Sequence, residues 1–181
     1  MLQDYLLINK LKHGDRDALR RIYEKYRDYL LRIAVGLLPD KCQAEDVVHD
    51  VFARFVQSAH SYSIKGSLKA YLAKSVINNV RNIHRSKTRH QTVTLDQIDP
   101  PVSDYVRPDK WIIEHERSEQ IHDAMVQLPY EQQEVIILRL QANMKYKDIA
   151  AIQEISVTTA ISRYKYGIDK LRSLLNDEVT K

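Results

Sequence analysis

Cys42 is the chain's only cysteine, which excludes an intrachain disulfide and a thiolate cluster for a metal. Four glycines in 181 residues provide no phosphate-gripping glycine loop. Together with long periodic stretches, that scarcity points to an all-helical protein. The longest apolar stretch, Leu30–Leu38, is broken by Arg32 and is far too short to span a bilayer. Asp4 interrupts the N-terminus before an apolar run develops, so MLQDYLLINKLKHGD does not read as a signal peptide. A cytoplasmic location without membrane insertion is expected. No Ser/His/Asp or Cys/His arrangement and no metal-ligand spacing is visible. His13, His49, His60, His84, His90, His115 and His122 are scattered as solvated or capping groups. Neither catalysis nor a cofactor or metal is expected.

What the chain has is uneven charge. Hydrophobic residues make up 44% and charged residues 29%, which suits a globular protein with enough apolar surface for a core. The net charge of +4 says little by itself. Residues 1–50 balance nine Lys/Arg against nine Asp/Glu, whereas residues 51–95 hold eight basic residues and no acid. Residues 96–134 reverse this with three basic and ten acidic, and residues 135–181 carry eight and five. Two basic blocks flanking an acidic one suggest two nucleic-acid faces.

Apolar residues recur at helical spacing through most of the chain. Leu2, Leu6, Leu7 and Leu11 mark a first helix ending near His13-Gly14. Asp15 is an N-cap for a second, whose stripe runs through Leu19, Ile22, Tyr23, Tyr26, Leu30, Ile33, Ala34 and Leu37. Leu38-Pro39-Asp40 stops it. A third spans about 43–59 with Ala44, Val47, Val48, Val51, Phe52, Phe55 and Val56 inward, and Glu45, Asp46 and Asp50 near its positive end. After a polar loop over 60–66, Ser67 caps a fourth helix carrying Leu68, Tyr71, Leu72, Ser75, Val76, Asn79 and Ile83 on one side.

From Thr88 to Asp109 the period vanishes, and three of the five prolines fall there with four aspartates. The stretch reads as an extended linker, because so long a loop inside one compact domain is unusual. The expected fold is therefore all-α, with two small helical domains: 1–88, a linker over 89–109, and 110–181. Trp111, Ile112, His115, Ile121 and Met125 mark a helix over 110–127. Further helices are expected near 131–141, 145–152 and 157–176.

The last two of these, joined by a three- to four-residue turn, have the layout of a helix-turn-helix, whose second helix enters the DNA major groove. Ala150 is small where the helices cross, and Ile155 lies in the turn. Val157, Ala160, Tyr164, Ile168, Leu171 and Leu175 form the inward stripe of the second helix. That leaves Thr158, Thr159, Ser162, Arg163 and Lys165 outward as DNA-binding candidates. Arg163 is placed to pair guanine through two hydrogen bonds, worth about 1–3 kcal/mol of discrimination. The competing reading is a helical hairpin with a solvated basic face.

In the acid-free block, Lys74, Arg81 and Arg85 gather at seven- and four-residue spacing, with Lys65, Lys69, Lys87 and Arg89 nearby. Such cations repel unless an anion compensates, and a phosphate backbone does so while releasing counterions. Asn78, Asn79 and His84 are interleaved. Solvated faces usually mix both signs, and this one does not.

At this point GDRDALRRIYEKYRDYLLRIAVGLL, AEDVVHDVFARFV and YLAKSVINNVRNIHRSKTR resemble region 2 of an extracytoplasmic-function (ECF) sigma factor of bacterial RNA polymerase. LPYEQQEVIILRL and YKDIAAIQEISVTTAISRYKYGIDKLR resemble its region 4. Order and spacing over about 160 residues carry the likeness. It implies a protein that joins core RNA polymerase, recognises promoter −10 and −35 elements and promotes initiation. Asp46, Val47, Asp50, Val51 and Phe55 would face the polymerase. Ser61, Lys65, Lys69, Lys74, Asn78, Asn79, Arg81, His84, Arg85 and Lys87 would serve the −10 element. Thr158, Thr159, Ser162, Arg163 and Lys165 would hold the −35 element. Asp96, Asp99 and Asp104 of the linker would follow the path of nascent RNA, or act as a solvated tether. An anti-sigma protein is a further expected partner, covering the apolar arc of the third helix.

Three positions depart from the family pattern. Ile161 replaces a basic residue, Glu154 stands where a turn glycine is common, and Ile77 replaces the usual arginine before Asn78. The alternative to a sigma factor is a helix-turn-helix regulator that never joins polymerase. Such a regulator would usually carry a ligand pocket or a dimer seam, and neither is visible.

Overall fold

The structure is a computed structural model that describes residues 2–59, 67–91 and 120–179, with side chains over 3–59, 67–86 and 120–176. Helix α1 (Leu2–Lys12) closes on Gly14, whose φ of +83° is the left-handed position that glycine adopts without strain. Its N–H donates to the Leu11 carbonyl at 2.9 Å, and the Asp15 N–H reaches Lys10 at 3.2 Å. The Asp15 carboxylate then caps α2 (Arg16–Leu37), accepting from the N–H groups of Asp17 at 2.9 Å and Ala18 at 3.1 Å.

Helix α3 (Lys41–Ser58) starts two residues before the position expected at 43. The reason is Asp40, whose carboxylate accepts from the Cys42 and Gln43 N–H groups at 2.8 and 3.4 Å. Helix α4 (Leu68–Gln91) begins just after Ser67, whose carbonyl takes the Tyr71 N–H at 3.1 Å. Helix α2 is the hub of this half, packed against α1, α3 and α4. Its buried stripe, Ile22, Tyr26, Leu30, Ile33 and Leu37 among others, meets Val48, Phe52 and Phe55 of α3 and Leu72, Val76 and Ile77 of α4 in one core.

The second half holds α5 (described over 120–126), α6 (Tyr130–Leu140), α7 (Tyr146–Gln153) and α8 (Val157–Val179). Gly167 of α8 allows close approach to α6: a Cβ there would fall 2.9 Å from Ile136 Cδ1. Four residues of the expected apolar stripes lie outward instead: Leu6 at 54%, Tyr71 at 36%, Ile121 at 49% and Val157 at 42% exposure. Val157 is the first residue of α8, too near the turn to be covered by α6 or α7. Helix α4 takes in residues 89–91 of the expected linker; the rest of that linker and Trp111, Ile112 and His115 lie outside the described residues.

The halves are in contact. Among the described residues their buried side chains form one continuous core, with α2 against α6 as the seam. Gly36 sits at that seam, and a Cβ on it would lie 2.8 Å from Ile137 Cδ1 and 2.6 Å from Gln141 Oε1.

Candidate nucleic-acid interface

Helices α7 and α8 are joined by Glu154-Ile155-Ser156. Glu154 ends α7 in the left-handed conformation, φ 58° and ψ 42°, with its N–H on the Ala150 carbonyl. This is the position where the sequence lacks the glycine that such a turn favours. Ser156 opens α8: its Oγ accepts the Thr159 N–H at 3.0 Å and shares a hydrogen bond with Thr159 Oγ1 at 2.8 Å. Ala150 and Ala160 are buried where the helices cross, and Tyr146 meets Tyr164 edge-on with ring centroids 5.7 Å apart.

Thr158, Thr159, Ser162 and Lys165 are exposed on α8, as the sequence predicts, and Ile161 joins them at 43% exposure. Arg163 is only half-exposed. Its Nη1 donates to Gln153 Oε1 at 3.0 Å, so the guanidinium is held against the end of α7.

The −10 candidates divide. Ser61 and Lys65, and the side chain of Lys87, lie outside the described residues. Asn78, His84 and Arg85 are exposed, with the His84 ring 4.7 Å from that of Tyr130. Lys69 rests its ammonium 4.0 Å above the Tyr29 ring. Beneath it, burial first of all pushes the Tyr29 hydroxyl up to about 12. Lys74 faces Glu154 at 3.5 Å, and Asn79 Oδ1 accepts from Arg54 Nη1 at 3.1 Å. Ile77 is fully buried, so the residue standing in for an arginine belongs to the core and leaves no gap in the basic face.

Arg81 overturns its expected place on a free phosphate-binding face. It donates to the Glu134 carboxylate through Nε at 2.9 Å and Nη2 at 2.6 Å, from α4 across to α6. Glu134 is 1% exposed and also accepts from Gln153 Nε2 at 3.1 Å. The hydrogen bond to Glu134 is the main reason the Arg81 guanidinium holds its proton beyond the ordinary arginine value. Beside the pair, burial and then the Glu134 charge raise the Tyr130 hydroxyl. These groups line a cleft of about 450 Å³ between α4, α6, α7 and α8.

On α3, Asp46 and Asp50 are exposed, which suits a partner surface. Val47, Val51 and Phe55 are not available to one. They are 5%, 2% and 1% exposed, because their period faces α2 and α4. The expectation that they face the polymerase is corrected to a core role.

Glu134, Gln153 and Arg54 are site residues that sequence reasoning missed. For Glu134 a signal existed. It lies four residues from both Tyr130 and Leu138, on the apolar stripe of α6, where a carboxylate is buried only with a cation. The acid-free block supplies that cation.

Comparison with known proteins places both halves. Residues 22–90 match the family model for Sigma-70 region 2, and residues 118–171 match that for Sigma-70, region 4. The ECF RNA polymerase sigma factor SigW of Bacillus subtilis is 26% identical over 178 residues, covering 94% of this chain and 95% of that protein. Among solved structures, CnrH in complex with the cytosolic domain of CnrY has a TM-score of 0.72 at 19% identity, covering 97% of this chain and 98% of CnrH. The sigma factor RpoE from Bartonella quintana, in complex with the anti-sigma factor NepR, has a TM-score of 0.65 at 24% identity, covering 87% and 98%.

Proposed function

The chain belongs to the sigma-70 family as an ECF sigma factor, and from that premise we propose how its helices divide the work of starting transcription. It acts as an RNA polymerase sigma factor, with core RNA polymerase and promoter DNA as its partners. The polymerase performs the chemistry; the chain binds, positions and opens DNA. That work belongs in the cytoplasm, and no helix among the described residues is long and apolar enough to cross a membrane.

The exposed face of α8 takes the −35 element: Thr158, Thr159, Ser162 and Lys165, with Arg163, oriented by Gln153, reading a base edge. The exposed face of α4 takes the −10 element. Asn78 and His84 meet unpaired bases, while Lys69, Lys74, Arg85 and Lys87 neutralise phosphates. Melting needs no fuel in this scheme. Stacking and charge contacts to the separated strand, worth about 1–3 kcal/mol per base, offset the lost pairing. Asp46 and Asp50 form an acidic edge of α3 for the polymerase, and Val47, Val51 and Phe55 support that edge from beneath. An anti-sigma protein is the expected negative partner, as NepR is for the Bartonella quintana sigma factor.

The observation that carries the reading is a helix-turn-helix with an outward polar face in the same chain as an acid-free basic helix. Abortive transcription by purified core enzyme, with and without the chain, tests it. Promoter-dependent product only when the chain is present is expected. DNA binding with no dependence on polymerase would favour the regulator.

A further inference from the structure

We propose that Ile161, with Val157 one turn before it, reads the 5-methyl group of a thymine in the −35 element, a step that rests on the assignment of α8 to that element. The end of α8 that leads into the groove carries no charge from Val157 to Ser162, and Arg163, Lys165 and Lys170 all come later. In a helix-turn-helix the N-terminal residues of the second helix lie against base edges. Phosphate contacts therefore fall to the later turns, and the leading turns meet the groove floor with apolar groups. Val157 and Ile161 are 42% and 43% exposed, although both are β-branched aliphatics that helix propensity does not favour at a solvent position. Four residues apart, they are neighbours on one edge of the outward face. The packing that covers α8 lies on its other side, where Ala160 is fully buried and Gly167 meets α6. The Thr159 hydroxyl is engaged by Ser156 Oγ at 2.8 Å, which further reduces the hydrogen-bonding capacity of these turns.

Position around the helix separates this contact from that of the arginine. At about 3.6 residues per turn, Ile161 and Arg163 point roughly 200° apart. Gln153 Oε1 holds Arg163 towards the end of α7 at 3.0 Å, so the two side chains approach the groove from opposite edges and meet different bases. Lys165, one turn beyond Ile161 on the same edge and exposed, is placed for the adjoining phosphate. In the major groove only thymine presents a methyl group, and apolar contact with it separates thymine from cytosine. A basic side chain at 161 would seek guanine or phosphate, and isoleucine can hydrogen-bond to neither.

The test uses holoenzyme assembled from core RNA polymerase and the full chain. Repeated rounds of holoenzyme binding to duplexes randomised across the −35 region give the preferred element. Each thymine in it is then replaced singly by deoxyuridine, which pairs in the same way and lacks only the methyl. One replacement is expected to weaken binding about fourfold, the factor for burying one methyl-sized group, and the others to leave it unchanged. Ile161→Ala should bind thymine and uracil alike at that position, whereas Ile161→Val should keep part of the difference. Ile161→Lys should lose the methyl preference and raise the salt slope by about one unit. The guanine preference assigned to Arg163 should survive in all three variants. Circular dichroism checks their folding, and Ile161→Lys decides should Ile161→Ala not fold. An element without thymine, no uracil-sensitive position, or a sensitivity that persists in Ile161→Ala overturns the proposal. A holoenzyme that transcribes from the selected promoter yet ignores the methyl sinks this contact alone. One that selects no −35 sequence sinks the assignment of α8 as well.

Discussion

Gln153 Oε1 accepts a hydrogen bond from Arg163 Nη1 at 3.0 Å, across the turn that joins the two helices of the helix-turn-helix. The Gln153 amide has little freedom, since its Nε2 donates to Glu134 Oε1 and to the Glu131 carbonyl, each at 3.1 Å. Arg163 is thus oriented by a side chain that is itself oriented, the arrangement that makes base reading selective. Arg163→Ala should cost about 1–3 kcal/mol at one −35 base pair. Gln153→Ala should lose part of that discrimination at the same pair. Anisotropy titrations over single-base variants of the −35 duplex measure it. Equal weakening on every duplex would remove Gln153 from this role.

Arg85 is exposed on α4, at the edge of the cleft that holds Glu134, and should act on phosphate alone. Arg85→Ala in holoenzyme is expected to weaken all promoters alike and to lower the salt slope of binding by about one unit. Promoter-selective loss instead would make Arg85 a base reader.

Left-handed backbone is costly for Glu154, which at φ 58° has a Cβ that glycine lacks. Its contact with Lys74 joins two side chains that are 45% and 78% exposed, and such pairs contribute little. Glu154→Gly should therefore stabilise the chain by about 1 kcal/mol, raising Tm by about 2–4 °C. Calorimetry that shows a lower Tm would mean the Lys74 contact outweighs the strain.

The corrected assignment on α3 separates two kinds of damage. Phe55→Ala opens a cavity in the core and should cost about 3–5 kcal/mol in chemical denaturation. Asp46→Lys with Asp50→Lys should leave the denaturation midpoint within about 0.5 kcal/mol of wild type while weakening association with core polymerase. A stable double variant with full polymerase affinity would move the docking surface elsewhere.

Burial of Asp4 works against its charge, yet the Lys25 ammonium at 2.7 Å and the Tyr26 hydroxyl hold its pKa below the ordinary 3.8. A carboxylate lowered in this way stabilises the fold above its unfolded value. That contribution is lost as pH falls from 3.8 through the folded value. Lys25→Met should flatten the stability profile in that window and leave its slope near neutrality unchanged. An unchanged acid limb would show that the contact adds nothing to stability.

Much of the fold was legible because the chain states its helix boundaries locally. Asp15 after Gly14 is a capping signal, and the 3.6-residue stripes of α2 and α3 match their buried faces; the cap at Asp40 was hidden, because Leu38-Pro39-Asp40 reads as the stop of α2. The outward set on α8 was legible for the same reason, since period and a small residue at the crossing fix which side faces out. What could not be read was the meeting of the halves. The partner of Arg81 lies 53 positions away, and no local pattern encodes that pairing. The basic block did announce a missing anion, and phosphate was only one answer. The departure from the family pattern at Ile77 has a local reason, since its own helical period places it beside Ala73 and Val80 in the core.

The most direct test of the account is promoter opening followed with a fluorescent base analogue in the −10 element. Core RNA polymerase, the full chain and a duplex carrying both elements are mixed at moderate ionic strength. Fluorescence should rise only when all three are present, and should fall to background with scrambled −10 or −35 sequence. A rise with the chain and DNA alone, or none with core enzyme added, would contradict the assignment of this chain as the promoter-reading subunit of the polymerase.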